Sequence, residues 1–177
     1  MLVFGEPGQP PFDLYTLDVG SDRKVAPLLN DSYSEHNGEI SPDGRWLVYQ
    51  SDESGSNEIY VRPFPHVAAG RSQVSSGGGT RPMWARNGRE LFYSGVDGTM
   101  MAVSIDSSVG RDKFSAGTPT ALFSGPYYSV QAGRSYDVSA DGRFLMVKND
   151  TPQALSAPQL VVVLNWLEEL KRLVPTK

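Results

Sequence analysis

The feature that most constrains this chain is a hairpin pattern that occurs three times. Asp43-Gly44, Asn87-Gly88 and Asp141-Gly142 each lie between two apolar or alternating runs. Such turn pairs are typical of a β-hairpin, because Asp, Asn and Gly accept a positive φ. The pairs are 44 and 54 residues apart, which indicates an internal repeat.

Each repeat continues in the same order after its hairpin. Residues 38–64 read GEISPDGRWLVYQSDESGSNEIYVRPF and residues 81–105 read RPMWARNGRELFYSGVDGTMMAVSI, each with a polar loop and a third strand. A fourth strand follows in both, at RSQVS and TALFS. The third repeat begins with SYDVSADGRFLMVKND and reaches its third strand at PQLVVVLNW. Four antiparallel strands in about 44 residues is the period of a β-propeller blade.

The repeat predicts an all-β fold, a partial β-propeller of about 3.5 to 4 four-stranded antiparallel blades. The first unit lacks its first strand and its turn, and a short helix follows the last unit. We expect one domain over 1–177, with blades at about 1–30, 36–76, 81–124 and 134–166 and a helix at about 166–174.

Composition narrows the function classes. The net charge of −4 and pI near 5.1 argue against nucleic-acid binding, which needs a concentrated excess of Lys and Arg. With no cysteine, neither disulfides nor thiolate metal sites are expected. The sequence contains no apolar run of about eighteen residues, so we expect no membrane insertion, and no secretory signal is recognisable at the start.

At SPDGRWLVYQSDESGSNEIYV the repeat resembles the TolB-like, WD-type propeller repeat, whose consensus is W-S-P-D-G, a strand, an S-D/G loop and I-Y. The chain also resembles the end of the propeller attached to bacterial serine/threonine kinases, through GRSYDVSADGRFLMV and VVLNWLEELKRL. Such propellers usually have about six or more blades. The resemblance therefore implies the C-terminal portion of a propeller, and it implies a periplasmic location as one option that the residues themselves leave open.

A partial ring leaves the outer faces of its terminal blades uncovered. We expect those faces to be apolar and to drive self-association, with a homodimer as the first choice. The alternative is that the chain is an excised or internally started piece of a longer protein. The residues expected on the outer faces are Leu2, Phe4, Leu14, Tyr15, Phe144, Met146 and Val161 to Val163.

Propeller topology also predicts where a ligand would bind. Loops that enter the first strand of each blade open on one face around the axis, here at 30–39, 75–81 and 124–135. Their side chains suit a small polar or anionic ligand or a peptide. The candidate ligand-binding residues are Tyr33, His36, Arg81, Tyr127, Tyr128 and Arg134. The alternative is that the arginines bond loop carbonyls or a nearby acid and that the tyrosines only pack the loop.

Catalytic residues are scarce. The sequence has two histidines, His36 and His66, and a hydrolase would use His36 as base with Ser34 and Glu35 beside it. No G-x-S-x-G elbow is present. The histidines are predicted to lie on opposite faces, so no metal site is expected, and we expect no cofactor. The run at 77–79 lacks the helix of a phosphate loop and is interpreted as a tight connection between blades.

These observations favour a non-catalytic propeller module. It would present its loop-lined face to a protein or small ligand, as a scaffold or, by resemblance to the kinase propellers, as a sensor. The alternative is a weak ester or peptide hydrolase that uses His36 as base. Kinase motifs are absent from the sequence, with neither a glycine-rich loop and its lysine nor an H-R-D loop.

Overall fold

The computed structural model describes residues 1–5, 10–20, 23–106, 113–129 and 133–148, which form four antiparallel sheets. We number the sheets as blades 1 to 4 in chain order. Blade 1 has β1 (Leu2–Gly5), β2 (Leu14–Leu17) and β3 (Val25–Leu29); blade 2 has β4 (Glu35–Ile40), β5 (Trp46–Ser51), β6 (Glu58–Pro63) and β7 (Ser72–Gln73). Blade 3 has β8 (Thr80–Trp84), β9 (Glu90–Ser94), β10 (Met100–Ser104) and β11 (Thr120–Phe123); blade 4 has β12 (Tyr136–Val138) and β13 (Phe144–Met146).

Strand order confirms the predicted architecture. Blades 2 and 3 are four-stranded meanders in sequence order, and blade 1 has three strands, as the incomplete first unit predicted. A single 3-10 turn at Val67–Ala69 joins β6 to β7. The third strand predicted for blade 4 and the C-terminal helix predicted at 166–174 lie outside the described residues. The described residues contain no helix of the length and apolarity needed to cross a bilayer.

The three predicted turns have the expected geometry. Gly44, Gly88 and Gly142 have φ of 75°, 68° and 82°, which explains why glycine occupies this position in every repeat. Each glycine N–H donates to the carbonyl three residues earlier, at 2.8 to 3.0 Å. These turns lie at the same end of their sheets as the loops between third and fourth strands. We call that end the turn face, and the opposite end the rim face.

The hydrophobic cores lie between blades rather than within them. Blades 2 and 3 share a cluster that includes Trp46, Ile59, Trp84, Leu91 and Val103. A second cluster joins blades 3 and 4, and a third joins blades 1 and 2. Because β4 contacts both β1 and β8, the innermost strands of neighbouring blades meet, as they do around a propeller axis.

Expectations for the outer faces were partly wrong. Leu14 is fully buried against blade 2, and Phe144 and Met146 pack on the core shared with blade 3. Leu2 and Phe4 do face away from blade 2, with 55% and 36% of their surfaces exposed. The reason is strand alternation: neighbours in a strand point to opposite faces, so a strand of apolar residues covers both.

Candidate functional site

The rim face carries the loops between blades and the loops between second and third strands. These two kinds of loop are joined: the Ser34 N–H donates to Asp52 Oδ1 at 2.9 Å, and the Gly79 N–H donates to the Asn57 carbonyl at 2.8 Å. The innermost strands β4 and β8 begin at this face. The rim face therefore brings together the start of these strands with the side chains that the sequence predicted there.

Both inner strands contain the same bulge. Register shifts place Asn37-Gly38 opposite Tyr49 in blade 2, and Arg81-Pro82 opposite Tyr93 in blade 3. The first residue of each bulge is left-handed, with φ of 53° at Asn37 and 56° at Arg81. Bulges of this kind redirect side chains and are frequent near functional sites. The repeat thus builds the same irregular feature twice beside the axis.

Gln50 links the two bulges. Its Oε1 accepts from Asn37 Nδ2 at 3.2 Å and from the Arg81 N–H at 3.1 Å, while its Nε2 donates to Asn57 Oδ1 at 3.1 Å. Gln50 is buried, and these hydrogen bonds attach its side-chain amide to both blades. This side chain fixes where the two bulges lie relative to each other.

Arg134 joins blade 4 to the same place. Its guanidinium pairs with the Glu39 carboxylate and donates to the Pro82 carbonyl at 3.3 Å. Burial raises the pKa of Glu39, and the charge of Arg134 opposes that rise. The Tyr136 hydroxyl donates to the Arg81 carbonyl at 2.6 Å. We call Asn37, Glu39, Gln50, Arg81 and Arg134 the axial cluster.

The three residues of the proposed hydrolytic site are not joined to one another. Ser34 Oγ accepts from the Phe12 N–H at 3.4 Å, and the His36 ring packs on Phe12 with centroids 4.7 Å apart. Glu35 precedes His36 in β4, so the two side chains point to opposite faces of the sheet. Burial lowers the pKa of His36, although Asp52 nearby opposes the change. No hydrogen bond among the described residues links Ser34, Glu35 and His36.

Glu35 is a buried acid at the joint of blades 1 and 2. Its side chain is 2% exposed, and its N–H donates to the Phe12 carbonyl at 2.7 Å. Burial, then the charges of Asp31 and Asp13, raise its pKa to about 8, with Arg62 opposing. The raised pKa favours the protonated form of Glu35 at neutral pH, which does not orient a histidine as a carboxylate would.

The glycine run at 77–79 donates hydrogen bonds to the side chain of Glu58, an acidic residue of the same chain. The N–H groups of Gly77 and Gly78 donate to Glu58 Oε1 at 2.9 and 2.8 Å, and the Ser75 hydroxyl bonds the other carboxylate oxygen. Successive backbone N–H groups that point at one oxygen form an anion-binding concavity, which is called a nest. Glu58 is buried, so the nest is filled from within, consistent with the predicted structural role.

The tyrosines of the rim face differ in exposure. Tyr33 and Tyr128 are 44% and 47% exposed. Tyr127 is half-buried, and its ring meets Phe123 edge to face with centroids 5.8 Å apart, so Tyr127 packs the loop. The Tyr128 N–H donates to the Val147 carbonyl at 2.7 Å, which anchors this loop to blade 4.

Sequence reasoning named Arg81 and Arg134 but missed Asn37, Glu39 and Gln50. The sequence does contain a pattern that could have predicted Asn37 as the partner of Arg81. Asn37 lies six residues before Asp43 and Arg81 lies six residues before Asn87, so the two bulges occupy the same position in the repeat. No group of three or more acidic, His or Cys side chains among the described residues is arranged to hold a metal ion.

No family model and no curated protein matches the chain. Among solved structures, the chain is similar to the putative TolB from Agrobacterium tumefaciens, with 17% identity and a TM-score of 0.53 over 68% of this chain and 44% of that one. It is also similar to TolB from Acinetobacter baumannii, with 23% identity and a TM-score of 0.50 over 81% of this chain and 39% of that one. The chain spans less than half the length of each of these two proteins, and it has the TolB-like β-propeller fold.

Proposed function

We propose that this chain is a non-catalytic binding module that presents its rim face to a segment of a partner protein or to a small polar ligand. The observation that supports this most directly is the axial cluster, in which three blades contribute polar side chains around two left-handed bulges. Residues held at positive φ cost conformational energy, and such strain is concentrated at functional sites. The proposal therefore assigns the rim face, rather than one loop, as the binding surface.

The axial cluster suits recognition because its groups are already positioned. Gln50 fixes the bulges, and Glu39 orients the Arg134 guanidinium, which remains one-third exposed. A preorganised cation loses less entropy when it binds a carboxylate or a carbonyl. Tyr33 and Tyr128 lie exposed on the same face and supply amphipathic contact area.

The scaffold or sensor role in a kinase, which the sequence resemblance implies, remains a prediction of that resemblance. A hydrolytic role for His36 receives no support from the contacts of Ser34, Glu35 and His36, and we do not propose it. What the TolB neighbours support is the fold; the partner of this chain is open to experiment.

The test is photo-crosslinking in the native host. We would replace Tyr33 or Tyr128 by p-benzoylphenylalanine and compare each with the same replacement at His66, which is exposed on the turn face. We expect discrete adducts from the two rim positions that are absent at His66. Arg134→Ala should reduce those adducts, because it removes the exposed cation.

The control for that variant is Arg143→Ala, which removes an exposed arginine of the same blade on the turn face. Circular dichroism would verify that both variants fold. Adducts of equal yield at Tyr128 and His66, or adducts unchanged by Arg134→Ala, would show that the rim face is not the binding surface.

A second copy of this chain is the other partner that we propose. Register places Leu2, Leu17 and Val25 side by side on the outer face of blade 1, with Phe4, Tyr15 and Pro27 in the next row. Val25 and Leu2 are more than half exposed. Apolar sheet faces of this kind are covered by a neighbouring blade in a propeller, and a second copy can provide that cover.

A further inference from the structure

The three hairpin turns provide an internal comparison. In blade 2 the Arg45 Nε bonds Asp43 Oδ2 at 2.6 Å, and in blade 4 the Arg143 Nε bonds Asp141 Oδ2 at 2.8 Å. The turn aspartate thus binds the arginine that follows it in both. The same arrangement is absent from blade 3, where asparagine occupies the aspartate position.

In blade 3 the arginine is kept and the acid is lost. Asn87 Oδ1 accepts from the Arg89 N–H at 2.9 Å, which preserves the turn, but an amide cannot neutralise a guanidinium. Among the described residues, the Arg89 side chain has no ion pair or hydrogen bond. Arg89 is exposed and so is able to bind an anion from solution.

Arg89 borders a cleft between blades 2 and 3 on the turn face. The cleft has a volume of about 290 Å3 and is lined by both turns and, after β10, by residues 105–106 and 113–115. Phe114 is partly exposed in the cleft and meets Trp46 at a centroid distance of 5.3 Å, while Trp46 and Trp84 lie behind it in the core, 7% and 2% exposed. The cleft therefore combines aromatic walls with a charged mouth.

The charge of the cleft is opposite to that of the chain. Of the described residues, Arg45, Arg89 and Lys113 line it together with Asp43 and Asp106, which is an excess of one positive charge in a protein of net charge −4. Asp43 is bound by Arg45. Lys113 is exposed and has no partner among the described residues. Two cations beside aromatic walls are complementary to an anion that carries a ring.

We propose that this cleft binds a small organic anion with an aromatic group, whose carboxylate or phosphate contacts Arg89 and Lys113 and whose ring packs against Phe114, close to the buried indoles of Trp46 and Trp84. The site lies on the face opposite the axial cluster, so it is independent of the rim-face proposal. A ligand with both a ring and a negative charge would contact the aromatic part and the positively charged part of the cleft, whereas a ring or a charge alone would contact only one of them.

The test uses four probes and the indole NMR signals of Trp46 and Trp84, assigned with Trp→Phe variants. Phenylacetate and phenyl phosphate carry both a ring and a charge, phenylacetamide carries the ring alone, and acetate carries the charge alone. We expect saturable shifts of both indole signals with phenylacetate or phenyl phosphate, and much weaker effects with the other two. Which of the two anions binds more tightly identifies the acidic group.

Two variants test the role of Arg89. Arg89→Gln removes the cation, and Asn87→Asp restores the aspartate of the other turns, which should bind Arg89 as Asp43 binds Arg45. We expect each to raise the dissociation constant about tenfold, as for one lost charge-assisted hydrogen bond. Asn87→Asp makes Arg89 unavailable to the ligand and keeps the turn intact, so it still tests the proposal if Arg89→Gln folds poorly.

Arg143→Gln is the matched control, because it changes the equivalent arginine in blade 4, away from the cleft, and it should leave binding unchanged. The proposal is overturned by saturable binding that is equal in the wild type, Arg89→Gln and Asn87→Asp. It is also overturned by phenylacetamide binding as well as phenylacetate, or by an absence of indole shifts with either aromatic anion.

Discussion

At the scale of single residues, two buried glutamates show how neighbours determine the role of an acid. Glu58 receives two backbone N–H groups and a hydroxyl, all of which stabilise a carboxylate. Glu35 is equally buried, but its Oε2 has no partner among the described residues and Asp31 and Asp13 lie near it. In the sequence, Glu35 and Glu58 both stand at the start of a strand, and no pattern in the neighbouring residues distinguishes the two roles.

We predict that Glu35 makes the stability of the protein depend on pH. Its pKa of about 8 in the folded protein exceeds the ordinary value of 4.5, so the folded state keeps a proton that the unfolded chain loses. The free energy of unfolding should therefore fall as pH rises from about 4.5 to about 8, by up to about 5 kcal/mol. Urea denaturation across this range would measure it.

Glu35→Gln should flatten this profile, because glutamine stays neutral. Glu90→Gln, at an exposed glutamate of blade 3, is the control and should retain the wild-type slope. An unchanged slope in Glu35→Gln would mean that another group causes the pH dependence.

At the scale of elements, the connection between blades 2 and 3 is built with little free space. A Cβ on Gly79 would lie 2.7 Å from Ser75 Oγ and 2.8 Å from Ile59 Cγ1, both on buried residues. The sequence run at 77–79 predicted a tight connection correctly. It could not reveal that Glu58 fills the nest, because this contact joins residues about twenty positions apart.

We predict that Gly79→Ala destabilises the protein through crowding alone. Its backbone is not left-handed, but the added methyl group would push Ile59 and Ser75 apart and disturb the Glu58 contacts, at a cost of about 1–3 kcal/mol. Gly98→Ala is the control for backbone strain, since Gly98 has φ of 79° and open space around it. It should cost about 1 kcal/mol. Chemical denaturation of both would rank them, and a smaller loss for Gly79→Ala would refute the crowding argument.

At the scale of the whole molecule, the repeat predicted more than the individual residues did. Turn chemistry and strand period sufficed for the fold class, because each unit carries its own hairpin signal. The same repeat placed Arg81 and Arg134 near the axis. Gln50 and the Arg89 cleft were missed because they depend on how two blades pack together, whereas Asn37 and the missing turn acid at Asn87 could have been read from the repeat.

We predict that the outer face of blade 1 mediates self-association. Val25→Glu places a charge on that face, at the start of its edge strand β3, and should weaken a dimer at least about tenfold, because burying an unpaired carboxylate is unfavourable. Val19→Glu is the control, since Val19 is similarly exposed but follows β2 in the loop. Analytical ultracentrifugation at micromolar concentration would compare them with the wild type. A monomeric wild type, or equal effects of both variants, would contradict the prediction.

The joints between blades have a consequence for evolution. The Trp84 indole donates to the Glu39 carbonyl, the Tyr136 hydroxyl to the Arg81 carbonyl, and the Arg134 guanidinium to the Pro82 carbonyl. Every amino acid supplies a carbonyl, so the accepting side of each joint tolerates mutation without losing its hydrogen bond. Neighbouring units can therefore change these accepting residues in evolution without losing the three hydrogen bonds.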